Sequence, residues 1–161
     1  MRKLVVLVVV LLVSACGVKP TPVVSAGPAP TLRSPAGNGR GTDVILYFVI
    51  DGRVAPVARP ADGVVSVETA LTMLLDGPSL AEKSDGYTTM LSRRPGPISV
   101  SPGQPATISF PFPLRPITSV GINQLVCTAF AALAAQAEYA VDGTVALSGT
   151  DVQLPYQTCQ A

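Results

Sequence analysis

The sequence contains no histidine and no tryptophan, and only 13% of its 161 residues are charged. The lack of histidine removes the Ser-His and Cys-His nucleophile arrangements and the common histidine-containing zinc sites. The Gly-x-Ser-x-Gly and Ser-x-x-Lys motifs of hydrolases are absent as well. We therefore expect no catalytic residues, no metal site and no cofactor, and the sequence predicts a protein that is not an enzyme.

The sequence also lacks an excess of basic residues, since it contains 11 Lys and Arg and 10 Asp and Glu. A nucleic-acid-binding protein, or one held on a membrane by charge, needs clustered positive residues to attract phosphates. The near-neutral balance argues against both kinds of partner.

An apolar run lies near the start of the sequence. Arg2 and Lys3 precede the run Leu4 to Val13, whose length of about 10 residues fits a secretory signal and is half of the ~20 residues that span a membrane. The run ends in Val13-Ser14-Ala15-Cys16, which resembles the lipobox of bacterial lipoproteins. That resemblance implies cleavage after Ala15 and a diacylglyceryl group on Cys16. A plain secretory signal and an uncleaved anchor are the alternatives.

Residues 16–42 are rich in proline and glycine. This stretch carries five prolines and no large apolar residue after Leu32: Pro20, Pro22, Pro28, Pro30 and Pro35. Such a composition buries too little apolar surface to offset the entropy of ordering, so it predicts a disordered or polyproline-like tether. The lipid on Cys16 would then hold the chain on the extracytoplasmic face of the cell membrane, because two acyl chains anchor stably without charge.

A single folded domain is expected over residues 43–161, with an α+β fold of two helices on one small, mostly antiparallel sheet. The predicted strands are Val44 to Ile50, Arg53 to Ala58, Ile98 to Val100, Ala106 to Phe110, Thr144 to Leu147 and Val152 to Tyr156, with a further one at Tyr87 to Leu91. One helix is predicted from the cap Ser66 to Gly77, and another from Ser119 to Gln136. Between them, Ser79 and Glu82 have the spacing of a capping box, which predicts a short helical turn.

Two motifs resemble the GerMN domain of sporulation and spore germination proteins. They are Leu74-Leu75-Asp76-Gly77-Pro78 at a helix end, and Gln124-Leu125-Val126-Cys127-Thr128 inside the second long helix. The order of elements is similar to that of small single-domain actinobacterial lipoproteins that carry this domain. The resemblance covers residues 44–161 and is weakest in the terminal strands. It implies an α+β fold without an assigned activity or shared catalytic residues.

Three cysteines are present. If Cys16 carries lipid, Cys127 and Cys159 are the thiols that remain in an oxidising compartment, where disulfides persist. We expect these two to form a disulfide, with a redox or metal role as the alternative. Two isolated thiolates do not fill a tetrahedral metal site.

The remaining polar residues have structural explanations. Asp43 and Asp51 flank one strand and are too far apart for paired acid–base chemistry. Asp76, Glu82 and Asp85 are expected to cap helices or to be solvated. Arg93-Arg94 is expected to lie in a solvated loop, although an anionic partner is the alternative. Tyr47, Phe48, Phe110 and Phe112 are expected to fill or line the core.

These observations favour a membrane-anchored binding or scaffolding module whose partner is an envelope protein or a cell-wall component. The alternative is a small-ligand carrier, or an enzyme of an unfamiliar type, which would require a polar-lined pocket inside the domain.

Overall fold

The computed structural model describes residues 43–136 and 143–161. In this part of the chain the strands are β1 (Val44–Ile50), β2 (Arg53–Arg59), β3 (Ser99–Ser101), β4 (Ala106–Ser109), β5 (Val145–Ser148) and β6 (Gln153–Gln157). The helices are α1 (Val67–Leu75), α2 (Leu80–Ser84) and α3 (Ser119–Ala135). The predicted α+β class is confirmed. None of the helices in these two ranges is long and apolar enough to cross a membrane.

A tight hairpin joins β1 and β2. Ile50 pairs with Arg53, so the loop contains only two residues. Both of them have positive φ, 52° at Asp51 and 76° at Gly52, which matches the twist of paired strands. The predicted strand, turn and return strand are therefore confirmed.

The first two helices begin at the caps that the sequence predicts, and the third begins at a cap, Thr118, that was not predicted. The Ser66 hydroxyl accepts from the Thr69 backbone N–H at the start of α1. Ser79 and Glu82 form the complete capping box of α2, which satisfies two backbone donors that a helix start leaves unpaired. Thr118 accepts from the Gly121 N–H at the start of α3. The predicted boundaries of all three helices therefore hold to within a few residues.

The strands form two sheets instead of the expected single sheet. β1 and β2 make a two-stranded sheet, and the other four make a sheet in the order β3-β4-β5-β6. The pairs are antiparallel except β4 and β5, which are parallel and are connected through α3. Tyr87 to Leu91 does not form the predicted strand. Only Thr88 pairs there, in an isolated bridge with Val49.

One apolar core joins α1 and α3 to both sheets. Its largest fully buried members come from every layer: Leu46, Phe48, Leu71, Leu74, Ile108, Leu125, Leu133 and Leu147. The opposite face of β1 is covered too, because Val49 packs with Val54 and Cys127 of α3 in a second, smaller cluster. Burial on both faces explains why β1 is a continuous apolar run.

Candidate functional site

The free edge of β1 is closed by side chains of α3. Gln124 is fully buried, and its Nε2 donates to the backbone oxygen of Tyr47 over 2.9 Å. One helical turn later, the hydroxyl of Thr128 accepts from the Tyr47 N–H, also over 2.9 Å. These two side chains satisfy the backbone groups that a neighbouring strand would otherwise pair, which ends the sheet at β1.

Gln124 also fixes the segment that follows α2. Its Oε1 accepts from the Met90 backbone N–H over 2.8 Å. A buried amide thus joins three parts of the chain through its donor and its acceptor. The Gln-Leu-Val-x-Thr motif contains both Gln124 and Thr128, so this motif has a structural role in the domain.

Pro56 lies on the other edge of the two-stranded sheet and reduces the capacity of that edge to pair with another strand. Tyr47 directs its backbone N–H and oxygen toward α3, so its partner Pro56 occupies a pair without mutual hydrogen bonds. The backbone nitrogen of Pro56 therefore faces the exposed edge of β2. Because proline has no N–H, this edge has one hydrogen-bond donor fewer. β2 is an edge strand of this sheet, which is where a proline inside a strand is tolerated.

The C-terminal residues are fastened to α3 by a disulfide and an amide. The Cys127 and Cys159 sulfurs lie 2.02 Å apart, as expected from the sequence. One turn earlier, Asn123 accepts from the Gln160 N–H over 3.0 Å, and its own amide donates to the Gln160 oxygen. The side-chain amide of Asn123 thus makes the two hydrogen bonds to the Gln160 backbone that a neighbouring strand would make.

Arg59 and Glu82 form a largely buried ion pair. Arg59 Nε and Nη2 donate to the two carboxylate oxygens over 2.8 and 2.6 Å, and Nη2 also reaches the Gly77 oxygen over 3.0 Å. The guanidinium carbon lies 5.2 Å from the centre of the Phe48 ring, within range of a cation–π contact. The pair therefore fastens the end of β2 to the turn between α1 and α2.

The charge of Glu82 is stabilised by these contacts. Hydrogen bonding from Arg59 lowers the pKa of Glu82, and the Ser79 backbone N–H adds to this against the opposing effect of desolvation. The sequence predicted the capping role of Glu82 but missed Arg59, which lies 23 positions earlier.

Asp151 holds the turn between β5 and β6 against a proline-rich loop. Its two carboxylate oxygens accept from the backbone N–H groups of Leu114 and Arg115 over 2.8 and 3.1 Å. Desolvation raises the pKa of Asp151, but the hydrogen bonds from these backbone donors together lower it by more, so the pKa is below its ordinary value. A carboxylate with this role was not recognised in the sequence, since its partners lie more than 30 positions away.

Arg93 and Arg94 border an open cleft of about 420 Å³. Its other walls come from the end of α1 and from the residues before β3: Thr72, Leu75, Asp76, Pro95, Gly96 and Ile98. Arg93 makes an exposed 3.1 Å ion pair with Asp76. The Arg94 guanidinium lies 5.4 Å from the centre of the Phe112 ring. The two arginines thus line a surface cleft whose lining also contains apolar side chains.

The other residues singled out in the sequence are not brought together. Asp43 and Asp51 lie at opposite ends of β1, and Asp85 follows the last turn of α2. Phe48, Phe110 and Phe112 are buried in the core, and Tyr47 packs on the smaller cluster. Among the described residues no three carboxylate or cysteine groups converge on a possible metal position.

Cys16, the leader 1–15 and the tether 16–42 lie outside the described residues, so their predictions stand as made from the sequence. Comparison with known protein families, curated proteins and solved structures finds no match to this chain.

Proposed function

We propose that this protein is a lipoprotein anchored through Cys16 on the extracytoplasmic face of the cell membrane. Its domain, residues 43–161, would be a GerMN-like module that binds or scaffolds a protein or a wall component of the envelope without catalysing a reaction.

The Cys127–Cys159 disulfide is the observation that carries this proposal. Disulfides persist in oxidising compartments, which is where a lipobox would deliver the domain. The leader, the lipobox and the disulfide point to one compartment although they lie in separate parts of the chain. The tether fits the same arrangement, because it separates the lipid from the first strand.

Binding is favoured over catalysis by the roles of the carboxylates whose pKa is shifted. Glu82 and Asp151 both have a lowered pKa, and both bind groups that hold the fold together. A general acid working near neutral pH needs its pKa raised. The clefts beside Arg93 and beside Tyr156 open to solvent, whereas a small-ligand carrier typically encloses most of its ligand.

Chemical crosslinking in native membranes tests the binding role. We expect the full-length chain to form a specific crosslinked complex that is absent for a chain with the same leader and tether but without residues 43–161. Recovery of the monomer alone from native membranes, under conditions that crosslink a known envelope complex, would contradict the proposal.

A further inference from the structure

The exposed edges of the two sheets differ in how they are protected. At β1, Gln124 and Thr128 occupy the edge, and at β2 Pro56 removes a donor. At β6, Pro155 and a shift of register interrupt the strand. Prolines, irregular pairing and covering elements are the devices that keep sheet edges from recruiting other strands. Within the described residues, the edge strand β3 is protected by its length of three residues and by the prolines just outside its ends, while its pairing with β4 is not interrupted.

The direction of the backbone groups on β3 follows from the ladder beside it. The N–H of Phe110, the residue after β4, donates to the oxygen of Ser148, the last residue of β5. Alternate residues of β4 therefore direct their backbone groups toward β5, and the residues between them direct theirs toward β3. Thr107 and Ser109 are the residues that face β3, and they pair with Ser101 and Ser99.

Val100, between these two serines, consequently turns its backbone N–H and oxygen away from β4. By the same alternation Ile98 points its backbone groups outward as well. The edge therefore presents two donors, at Ile98 and Val100, spaced as an added antiparallel or parallel strand requires.

A short edge of this kind supplies few hydrogen bonds, since Pro97 and Pro102 bound β3 on both sides. Specific binding would need a further contact, and the neighbouring cleft offers one. Ile98 lines that cleft and immediately precedes β3, so the cleft lies next to the start of the edge strand. Arg93 at the cleft is 82% exposed in its side chain.

The charge of the cleft defines the partner that fits. The cleft lining contains two arginines and one carboxylate, Asp76. The ion pair between Arg93 and Asp76 is exposed, so replacing Asp76 by a carboxylate of the partner costs little free energy. Leu75, Ile98 and Pro95 provide the apolar part of the cleft lining.

We propose that the β3 edge and the adjoining cleft bind an extended peptide segment of a partner protein. The segment adds a strand beside Val100 and places a carboxylate against Arg93 with an apolar side chain beneath it. This inference rests on the proposed binding function and specifies its surface and the chemical class of its partner.

A peptide-binding experiment on the full-length chain in detergent tests the proposal. The probe is an array of unstructured decapeptides in which one position is Asp, together with the same array carrying Asn at that position. We expect bound peptides to alternate apolar and polar residues, and replacement of Asp by Asn to weaken binding about two- to fivefold, because Arg93 is exposed and an exposed ion pair contributes little. Arg93→Ala should produce a similar loss, with no further loss when the Asn peptide is used.

Two variants at one position separate backbone pairing from packing. Val100→Pro removes the outward N–H and Val100→Ala retains it, so peptide binding should be lost in the first variant and kept in the second. Thermal unfolding of both variants shows whether the domain remains folded. If Val100→Pro does not fold, an Arg93→Ala variant that binds the Asp and Asn peptides equally well still supports the cleft contact.

The results that would contradict the proposed peptide-binding surface can be told apart. Peptides that bind without regard to Arg93 and to their carboxylate would overturn this surface but leave the binding function standing. Self-association through β3, or binding of anionic vesicles in place of peptides, would identify another occupant and refute the inference. Absence of any bound peptide would refute it too, and the crosslinking experiment in native membranes then decides separately whether the domain binds a partner.

Discussion

The side chain of Gln124 binds the backbone of Tyr47, 77 positions earlier in the chain, so a helix takes the place of a third strand beside β1. The amide donates to the Tyr47 oxygen and accepts from the Met90 N–H, and no part of Gln124 is exposed. This contact explains both the end of the two-stranded sheet and the presence of a polar residue in the core.

Gln124→Met is expected to lower the free energy of unfolding by about 1–3 kcal/mol, because it keeps the side-chain volume and leaves the partly buried Tyr47 oxygen and Met90 N–H without their partner. Urea unfolding monitored by circular dichroism measures the change. Gln153→Met, on the exposed strand β6, serves as the control and should change stability by less than about 0.5 kcal/mol. A loss that small at Gln124 would show that the buried amide does not hold β1.

Thr128→Val is expected to cost about 1–2 kcal/mol, because the Tyr47 N–H loses its acceptor while the shape of the side chain is kept. Thr128→Ser retains the hydroxyl and should restore part of this stability. The comparison of the two unfolding midpoints isolates the hydrogen bond, and equal midpoints for Val and Ser would contradict its role.

The Arg59–Glu82 pair predicts an acid dependence of stability. The pKa of Glu82 is lowered in the folded protein from its ordinary value of 4.5, so its contribution is present above that value and is lost as the pH falls through the folded pKa. Between about pH 5 and about pH 3 the wild type should lose more stability than Glu82→Gln, which cannot titrate but keeps capping-box geometry.

Urea unfolding across this pH range gives the difference between the two chains. Asp151 also has a lowered pKa and is present in both proteins, so the subtraction removes its effect. Parallel pH profiles would mean that the Arg59 contact does not stabilise the charged form of Glu82.

The Cys127–Cys159 disulfide closes a loop with a sequence separation of 32. The chain-entropy estimate for a loop of this size is about 3.7 kcal/mol. We expect reduction with dithiothreitol to lower the unfolding free energy of the wild type by that order, and to leave a Cys127→Ala, Cys159→Ala double variant unchanged. A wild type that is insensitive to reductant would indicate that the Asn123–Gln160 pairing fixes the terminus without the disulfide.

The sequence predicted those elements that short-range signals define. The caps Ser66 and Ser79 and the two strands on either side of Asp51-Gly52 depend on residues a few positions apart, and each was placed correctly. The division into two sheets was missed, because it depends on Gln124 and Thr128 reaching Tyr47 from a distant helix. Arg59 and Asp151 were missed for the same reason, since their partners are set by the tertiary fold.

The predicted strand at Tyr87 to Leu91 shows the competing effect directly. Thr88 pairs with Val49 as a strand would, but the Met90 N–H turns to Gln124. A buried side chain has taken the hydrogen bond that would have extended the pairing. Propensity alone does not reveal such a competitor.

The central claim, a disulfide-closed domain anchored by lipid, is tested most directly by intact mass spectrometry of the membrane-bound protein under non-reducing conditions. We predict a chain that begins at an acylated Cys16 and has two hydrogens fewer than its reduced form. A membrane-bound chain that retains the leader or lacks the acyl group, or one that gains no mass on reduction, would contradict the account.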